Sequence, residues 1–467
     1  MREGVGIPVR GECGEDDDCL RHGDSPPTSL IGMGPLTDVV TIDVASMSLP
    51  QPQPVSTPTS RGAVSPDHVL GALADFKWKR RRTRITAHVT AGVSVPVFTN
   101  EYWTSRQRAA NSLHEISYRA CFKPQLPAFF IDRLTSPGDT VYDPFAGRGT
   151  TLLEAALRGR VPAGCDINPL AQALLWPRLR PPQGDQVRAR LDRLDLSRAS
   201  EVPDELLAFY HPETLIEICA LRTYLMGREQ DLRMDDLDRW IRMVVVNRLT
   251  GHSTGFLSVY TLPPNQAVSI ASQLKINTRR RQTPPRRDLR AIVNRKSASL
   301  LADVDEPTRQ TLTRVGSRGR FHTGSCTGRF WRPGSVQLVV TSPPFLDVVN
   351  YAADNWLRCW FCGVDSNGAA INVHATVDAW RRFIEAAFRQ IARLLRPGAY
   401  VAFEVGEVRN GTLRLEDIVV PAGLGAGLAP VAVLVNEQVF TKTANIWGVA
   451  NNRRGTNTNR IVLFTRA

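Results

Sequence analysis

An α/β fold is what this sequence predicts, and three stretches carry the expectation. The short β-rich run Thr140-Val-Tyr142 ends in Asp143-Pro-Phe-Ala-Gly-Arg-Gly-Thr-Thr151. Leu152, Leu153, Ala155, Ala156 and Leu157 follow at helical spacing, so the segment reads as strand, glycine turn and helix. A second apolar run ends in Gly164-Cys-Asp-Ile-Asn-Pro169, placing Asp166 at a strand tip seventeen residues after Gly149. A third, Val336-Gln-Leu-Val-Val340, delivers Thr341-Ser-Pro-Pro-Phe345 to the carboxyl edge of the sheet, where open α/β sheets bind their ligands.

The chain has 467 residues, of which 42% are hydrophobic, enough for a sizeable core and for two or three domains on length alone. No apolar run approaches the ~20 residues of a membrane span. The N-terminus is acidic where a signal peptide needs a basic start and an apolar core, so a cytoplasmic protein with no membrane association is expected. Net charge is +13, from 58 basic against 45 acidic residues, which favours a polyanionic partner. Eight cysteines are too few for a disulfide framework in a chain this long. Cys359-Trp-Phe-Cys362 has the spacing of half a metal site, but with no second such pair and no clustered histidines it reads as buried thiols, and no metal is expected.

In chain order, residues 1–97 are expected to be a disordered extension, rich in Gly, Pro, Ser and Asp over its first 70 residues. It ends near the basic run Lys77-Trp-Lys-Arg-Arg-Arg-Thr-Arg84, which suits either a phosphate backbone or solvent. Residues 98–184 form the first α/β half. In its glycine loop, Gly147 and Gly149 permit backbone angles and close approach that a Cβ forbids. The free N–H groups opening the next helix favour an anionic group. Asp166 is placed to accept both hydroxyls of a ribose. The expected ligand is a cofactor with a ribose and a small anion. His114 reads as a packing or pocket residue.

Residues 185–317 are helical in pattern, with Leu215, Leu221, Trp240, Ile241 and Val244 among the residues recurring at helical spacing. Within them, residues 275–296 hold nine basic residues against one acidic. Lys275, Arg279, Arg280, Arg281, Arg286, Arg287 and Arg290 are the candidates for nucleic-acid contact, the other reading being a solvated helix face. Residues 318–467 resume the α/β pattern. In Ser342-Pro-Pro-Phe345, Ser342 Oγ and the Pro343 carbonyl are suitable acceptors for the two hydrogens of a base amine. Two prolines, Pro343 and Pro344, fix the direction of that carbonyl, and Phe345 offers a flat face to a flipped base.

The wording DPFAGRGTT with GCDINP and TSPPF resembles the bacterial S-adenosylmethionine-dependent DNA amino-methyltransferases, from about residue 98 to the C-terminus. The resemblance implies a Rossmann-like seven-stranded methyltransferase sheet closed by a hairpin around residues 451–464. It also implies S-adenosylmethionine held by Asp143, Phe145, Gly147, Gly149, Thr150, Asp166 and Ile167, and catalysis by Ser342, Pro343, Pro344 and Phe345. Serine in the first position of that motif goes mainly with cytosine N4, aspartate or asparagine with adenine N6. At Gly324-Ser-Cys326, Ser325 stands where the family often has Asp, which leaves any substrate contact at that position open. The expected activity is methylation of double-stranded DNA, with residues 185–317 recognising the target and a restriction endonuclease as companion. Adenine N6 or structured RNA as substrate, and an inactive DNA-binding relic, are the alternatives.

Overall fold

In the computed structural model, Thr140–Asp143 lies inside a nine-stranded sheet. The structure describes residues 64–103, 110–118, 121–261, 267–344, 351–365, 376–405, 414–439 and 456–467. In chain order the strands are β1 (Lys77–Trp78), β2 (Arg81–Arg82), β3 (Arg84–Thr90), β4 (Val93–Asn100), β5 (Thr140–Asp143), β6 (Val161–Asp166), β7 (Arg320–Thr323), β8 (Val336–Thr341), β9 (Leu395–Val405), β10 (Leu428–Val439) and β11 (Thr456–Arg466). The sheet order is β3-β4-β10-β11-β9-β8-β5-β6-β7, and β1 and β2 pair separately as a small hairpin. Only β3 and β11 run against the rest. The tips of β5, β6, β8 and β9 therefore share one edge.

β8 is buried along its whole length, as a strand covered by helices on both faces must be. Its residues alternate between two cores. Leu338 and Val340 join Phe129, Phe130 and Ile131 of helix Gln125–Leu134 on one face. Val339 joins Trp380, Ile384 and Phe388 of helix Val377–Leu394 on the other. The helices between residues 184 and 316 share a third core with Leu152, Leu153, Leu170 and Leu174 from the first α/β half. Within it, the buried Asp238 takes ion pairs from both Arg190 and Arg228.

The sequence expectation needs two corrections. Residues 64–97 are folded. Ser65 caps helix Pro66–Ala74 by accepting from the His68 N–H, and β3 and β4 extend the expected seven strands to nine. The physical reason lies far along the chain: β4 pairs with β10, so Val95, Val97 and Phe98 are buried by residues more than 300 positions away. The expected closing hairpin is β10 and β11, antiparallel from Leu428↔Arg466 to Val439↔Thr456, with residues 451–455 outside the described residues.

Candidate active site

The glycine loop is shaped by hydrogen bonds that its own sequence supplies. Asp143 Oδ1 accepts from the Phe145 N–H at 3.0 Å, the Ala146 N–H donates to the Cys165 carbonyl, and the Gly149 N–H to the Ala146 carbonyl. Gly147 (φ +53°) and Gly149 (φ +78°) both lie in the left-handed region. A Cβ on Gly149 would fall 2.7 Å from Leu175 Cδ1, so that glycine lets helix Thr150–Leu157 close onto helix Leu170–Leu175. Gly147 faces a cleft instead, where a Cβ built there would make only ordinary contacts, 3.5 Å from the Tyr118 ring and 4.0 Å from the Phe145 carbonyl.

The cleft is lined by Asp143, Phe145, Gly147 and Thr150 from the loop, Asp166 and Ile167 from the tip of β6, and Ser342, Pro343 and Pro344 from the tip of β8. The structure thus brings together the sequence candidates of both motifs, except that Gly149 packs behind the loop and Phe345 lies outside the described residues. Asp166 Oδ2 accepts from the Gly147 N–H at 2.6 Å and Oδ1 from the Asn168 N–H at 2.8 Å. One lone pair on each oxygen remains for a ligand's hydroxyls. Burial pushes its carboxyl up to about 6, against the pull of those two N–H groups. Asp143 is almost fully buried and accepts from the Thr341 hydroxyl at 2.5 Å, so it braces the glycine loop against the Ser-Pro-Pro loop; burial pushes it up to about 7.

Two features were missed in the sequence. Register pairs Thr341 with Phe403, which sets Glu404 beside Ser342. The buried Glu404 carboxylate accepts from Asn459 Nδ2 at 2.6 Å, and burial pushes it up to about 7, against the pull of Asn459 and the nearby Ser342 hydroxyl. Inside a strand reading Ala-Tyr-Val-Ala-Phe-Glu-Val, the break in the apolar run at Glu404 was the available signal. The second is a pair of buried arginines. Arg148 donates to the carbonyls of His114 and Ile116, and Arg178 to those of Leu113, Leu174 and Arg148, stitching the turn at Ser112–His114 onto the loop. His114 is itself buried, 2.7 Å from Glu154, and burial lowers its pKa. Trp380 Nε1 donates to the Pro344 carbonyl at 2.9 Å, holding the second proline rigid.

The basic candidates divide. Lys275 is exposed midway along helix Ile270–Arg280, and Arg279, Arg280 and Arg281 are exposed at and just beyond its end, with the Arg280 guanidinium 3.8 Å from the centre of the Tyr260 ring. Arg286 instead pairs with Glu213 and Glu217, at 2.8 and 2.6 Å, and Arg290 donates to the carbonyls of Leu191 and Leu194. Those two hold helices together. The backbone of Arg287 exchanges hydrogen bonds with the Thr214 hydroxyl. Cys359 and Cys362 are buried thiols pushed up to about 11 and about 12, and among the described residues no cluster of His, Cys, Asp and Glu could hold a metal ion. Among the described residues, no helix is long and apolar enough to cross a membrane.

Residues 78–174 match the N6/N4 methyltransferase family described as DNA methylase; the matched stretch, about a fifth of the chain, contains both the glycine loop and Asp166. No curated protein matches the chain. Similar solved structures include the following three. A TehB-like S-adenosylmethionine-dependent methyltransferase of Corynebacterium glutamicum is 9% identical over 73% of this chain and 87% of that one, with a TM-score of 0.26. A candidate DNA modification methylase of Thermus thermophilus complexed with S-adenosyl-L-methionine is 19% identical over 29% of this chain and 50% of that one, with a TM-score of 0.18. Geranyl diphosphate C-methyltransferase of Streptomyces coelicolor is 10% identical over 74% and 77%, with a TM-score of 0.29.

The residues of the cleft fit S-adenosylmethionine. Asp166 would meet a ribose diol, Ile167, Phe145 and Phe383 give apolar walls, and the carboxylates of Asp143 and Asp166 suit a cationic sulfonium better than a pyrophosphate.

Proposed function

We propose that this protein is an S-adenosylmethionine-dependent DNA methyltransferase acting on the exocyclic amine of a base in double-stranded DNA, namely cytosine N4. The observation that carries the reading is the convergence of Gly147, Asp166 and Ser342 on one cleft, with the strand register setting Glu404 beside the serine. Bound there, the cofactor supplies an electrophilic methyl group.

The chain's own residues then have three tasks. Asp166 and the glycine loop orient the cofactor. Set beside Glu404, Ser342 can donate its hydroxyl hydrogen bond to that carboxylate, which would turn the oxygen's lone pairs toward the cleft, where they can accept an N–H of the target amine and draw its nitrogen toward tetrahedral geometry. Once the nitrogen has gained a methyl group it must lose a proton. That proton passes to Ser342 Oγ as the serine proton passes to Glu404, which the elevated carboxyl near 7 is suited to receive. The serine that opens the Ser-Pro-Pro-Phe motif supports cytosine, because in the enzymes this motif resembles a serine there goes mainly with cytosine N4. Residues 185–317, with Lys275 and Arg279 to Arg281 exposed, are assigned to reading the target, and a companion restriction endonuclease completes the proposal.

Expression in a host whose DNA lacks both modifications, followed by mass-spectrometric nucleoside analysis, tests this. N4-methylcytosine is expected. N6-methyladenine alone would overturn the cytosine assignment, and unmodified DNA together with absent cofactor binding would overturn the reading itself.

A further inference from the structure

The basic hairpin β1–β2 has no part in the cleft, yet the fold carries it to the same edge of the sheet. Lys77, Lys79, Arg80, Arg81, Arg82 and Arg84 are all exposed, and no acidic residue lies between residues 76 and 84. The register Lys77↔Arg82 and Trp78↔Arg81 leaves a two-residue turn, Lys79-Arg80. Such turns favour glycine or asparagine where φ is positive. Here Lys79 takes φ +54°, so the tip presents two cations where a glycine would be less strained.

The hairpin is anchored. Arg81 pairs with Glu437, and both the Thr83 hydroxyl and Asn100 Nδ2 donate to the Phe76 carbonyl. Those anchors fix its position relative to Ser342. Glu437 follows Asn436, whose partner across β10 and β11 is Asn459, and Asn459 donates to Glu404, which the register sets beside Ser342. From β10 to β8 is three strand spacings, about 14 Å at about 4.8 Å each. Along the axis of a DNA duplex that is about four base pairs, at about 3.4 Å rise each.

We propose that the Lys77–Arg84 hairpin is a phosphate clamp that grips the DNA backbone about four nucleotides from the base entering the cleft, separately from the arginines at 279–281. The proposal rests on the reading of the protein as a DNA methyltransferase.

The test uses the full chain and a labelled 30-base-pair duplex of random sequence, with binding followed by fluorescence anisotropy across a salt titration. Lys79→Gln/Arg80→Gln alters only the turn tip; a triple variant adds Arg82→Gln. Each lost phosphate contact should flatten the plot of log K against log salt by about 0.9, so slope losses of about 2 and then about 3 are expected. Calorimetric affinity for S-adenosylmethionine should stay at the wild-type value, which also reports that the variants fold. Unchanged slopes in both variants, beside a flattened slope in Arg279→Gln/Arg280→Gln/Arg281→Gln, would overturn the clamp and leave the DNA reading standing. A wild-type chain with no salt-dependent duplex binding would overturn both. Slopes altered on a folded RNA but not on duplex DNA would also overturn the clamp.

Discussion

Glu404→Gln perturbs the carboxylate that the strand register sets beside Ser342, and its effect can be worked from that carboxyl's position near 7. If the ionised carboxylate is what takes the Ser342 proton, turnover follows its ionised fraction: about half at pH 7, about a tenth at pH 6, and nearly all at pH 8.5. Wild-type single-turnover methyl transfer should therefore fall about tenfold per pH unit below 7 and level off above it. The glutamine variant cannot accept the proton and should be slower by ~10²-fold at pH 8, with a flat profile from 6 to 8. Asp166, near 6, should show in a different readout: cofactor affinity should weaken as pH falls through 6, because its neutral form is the poorer acceptor for a ribose diol. Stability gives an independent check of sign. A carboxyl raised from 4.5 in the unfolded chain to about 7 in the folded one contributes stability that is present below 4.5 and lost as pH rises through 7. Glu404→Gln should therefore raise the melting temperature relative to wild type more at pH 8 than at pH 5. A wild-type rate with no inflection between 6 and 8, or a glutamine variant that keeps the inflection, would refute the role given to Glu404.

The two loop glycines should separate stability from site. Gly149→Ala combines left-handed strain with a clash against Leu175, for a loss of about 2–5 kcal/mol, whereas Gly147→Ala meets only an ordinary contact with Tyr118 and should cost about 1–2 kcal/mol in urea unfolding. Equal losses would contradict that division. Asp166→Ala should weaken S-adenosylmethionine binding by about 2 kcal/mol or more by calorimetry, and unchanged affinity would remove Asp166 from the site.

The strands ending in Asp143, Asp166 and Thr341 were legible because each couples a local apolar run to a turn whose chemistry is distinctive on its own. Residues 64–97 were not, because the partner that buries β4 is β10 and no local pattern announces a pairing across more than 300 residues. Within the site, Ser342 was visible through its motif, but Glu404 acts through a cross-strand register that only the folded sheet supplies. The arginine-rich stretch misled by density. Charge alone does not tell Arg280, exposed beside Tyr260, from Arg286, which is occupied by Glu213 and Glu217 from a helix some seventy residues earlier.

The central claim is that one loop holds the cofactor and another activates the amine, and Ser342→Ala tests it most directly. Single-turnover transfer of labelled methyl to DNA should fall by ~10²-fold or more, the scale of one lost transition-state hydrogen bond, while S-adenosylmethionine binding measured on the same sample stays at the wild-type value. Full transfer activity in that variant would contradict the account.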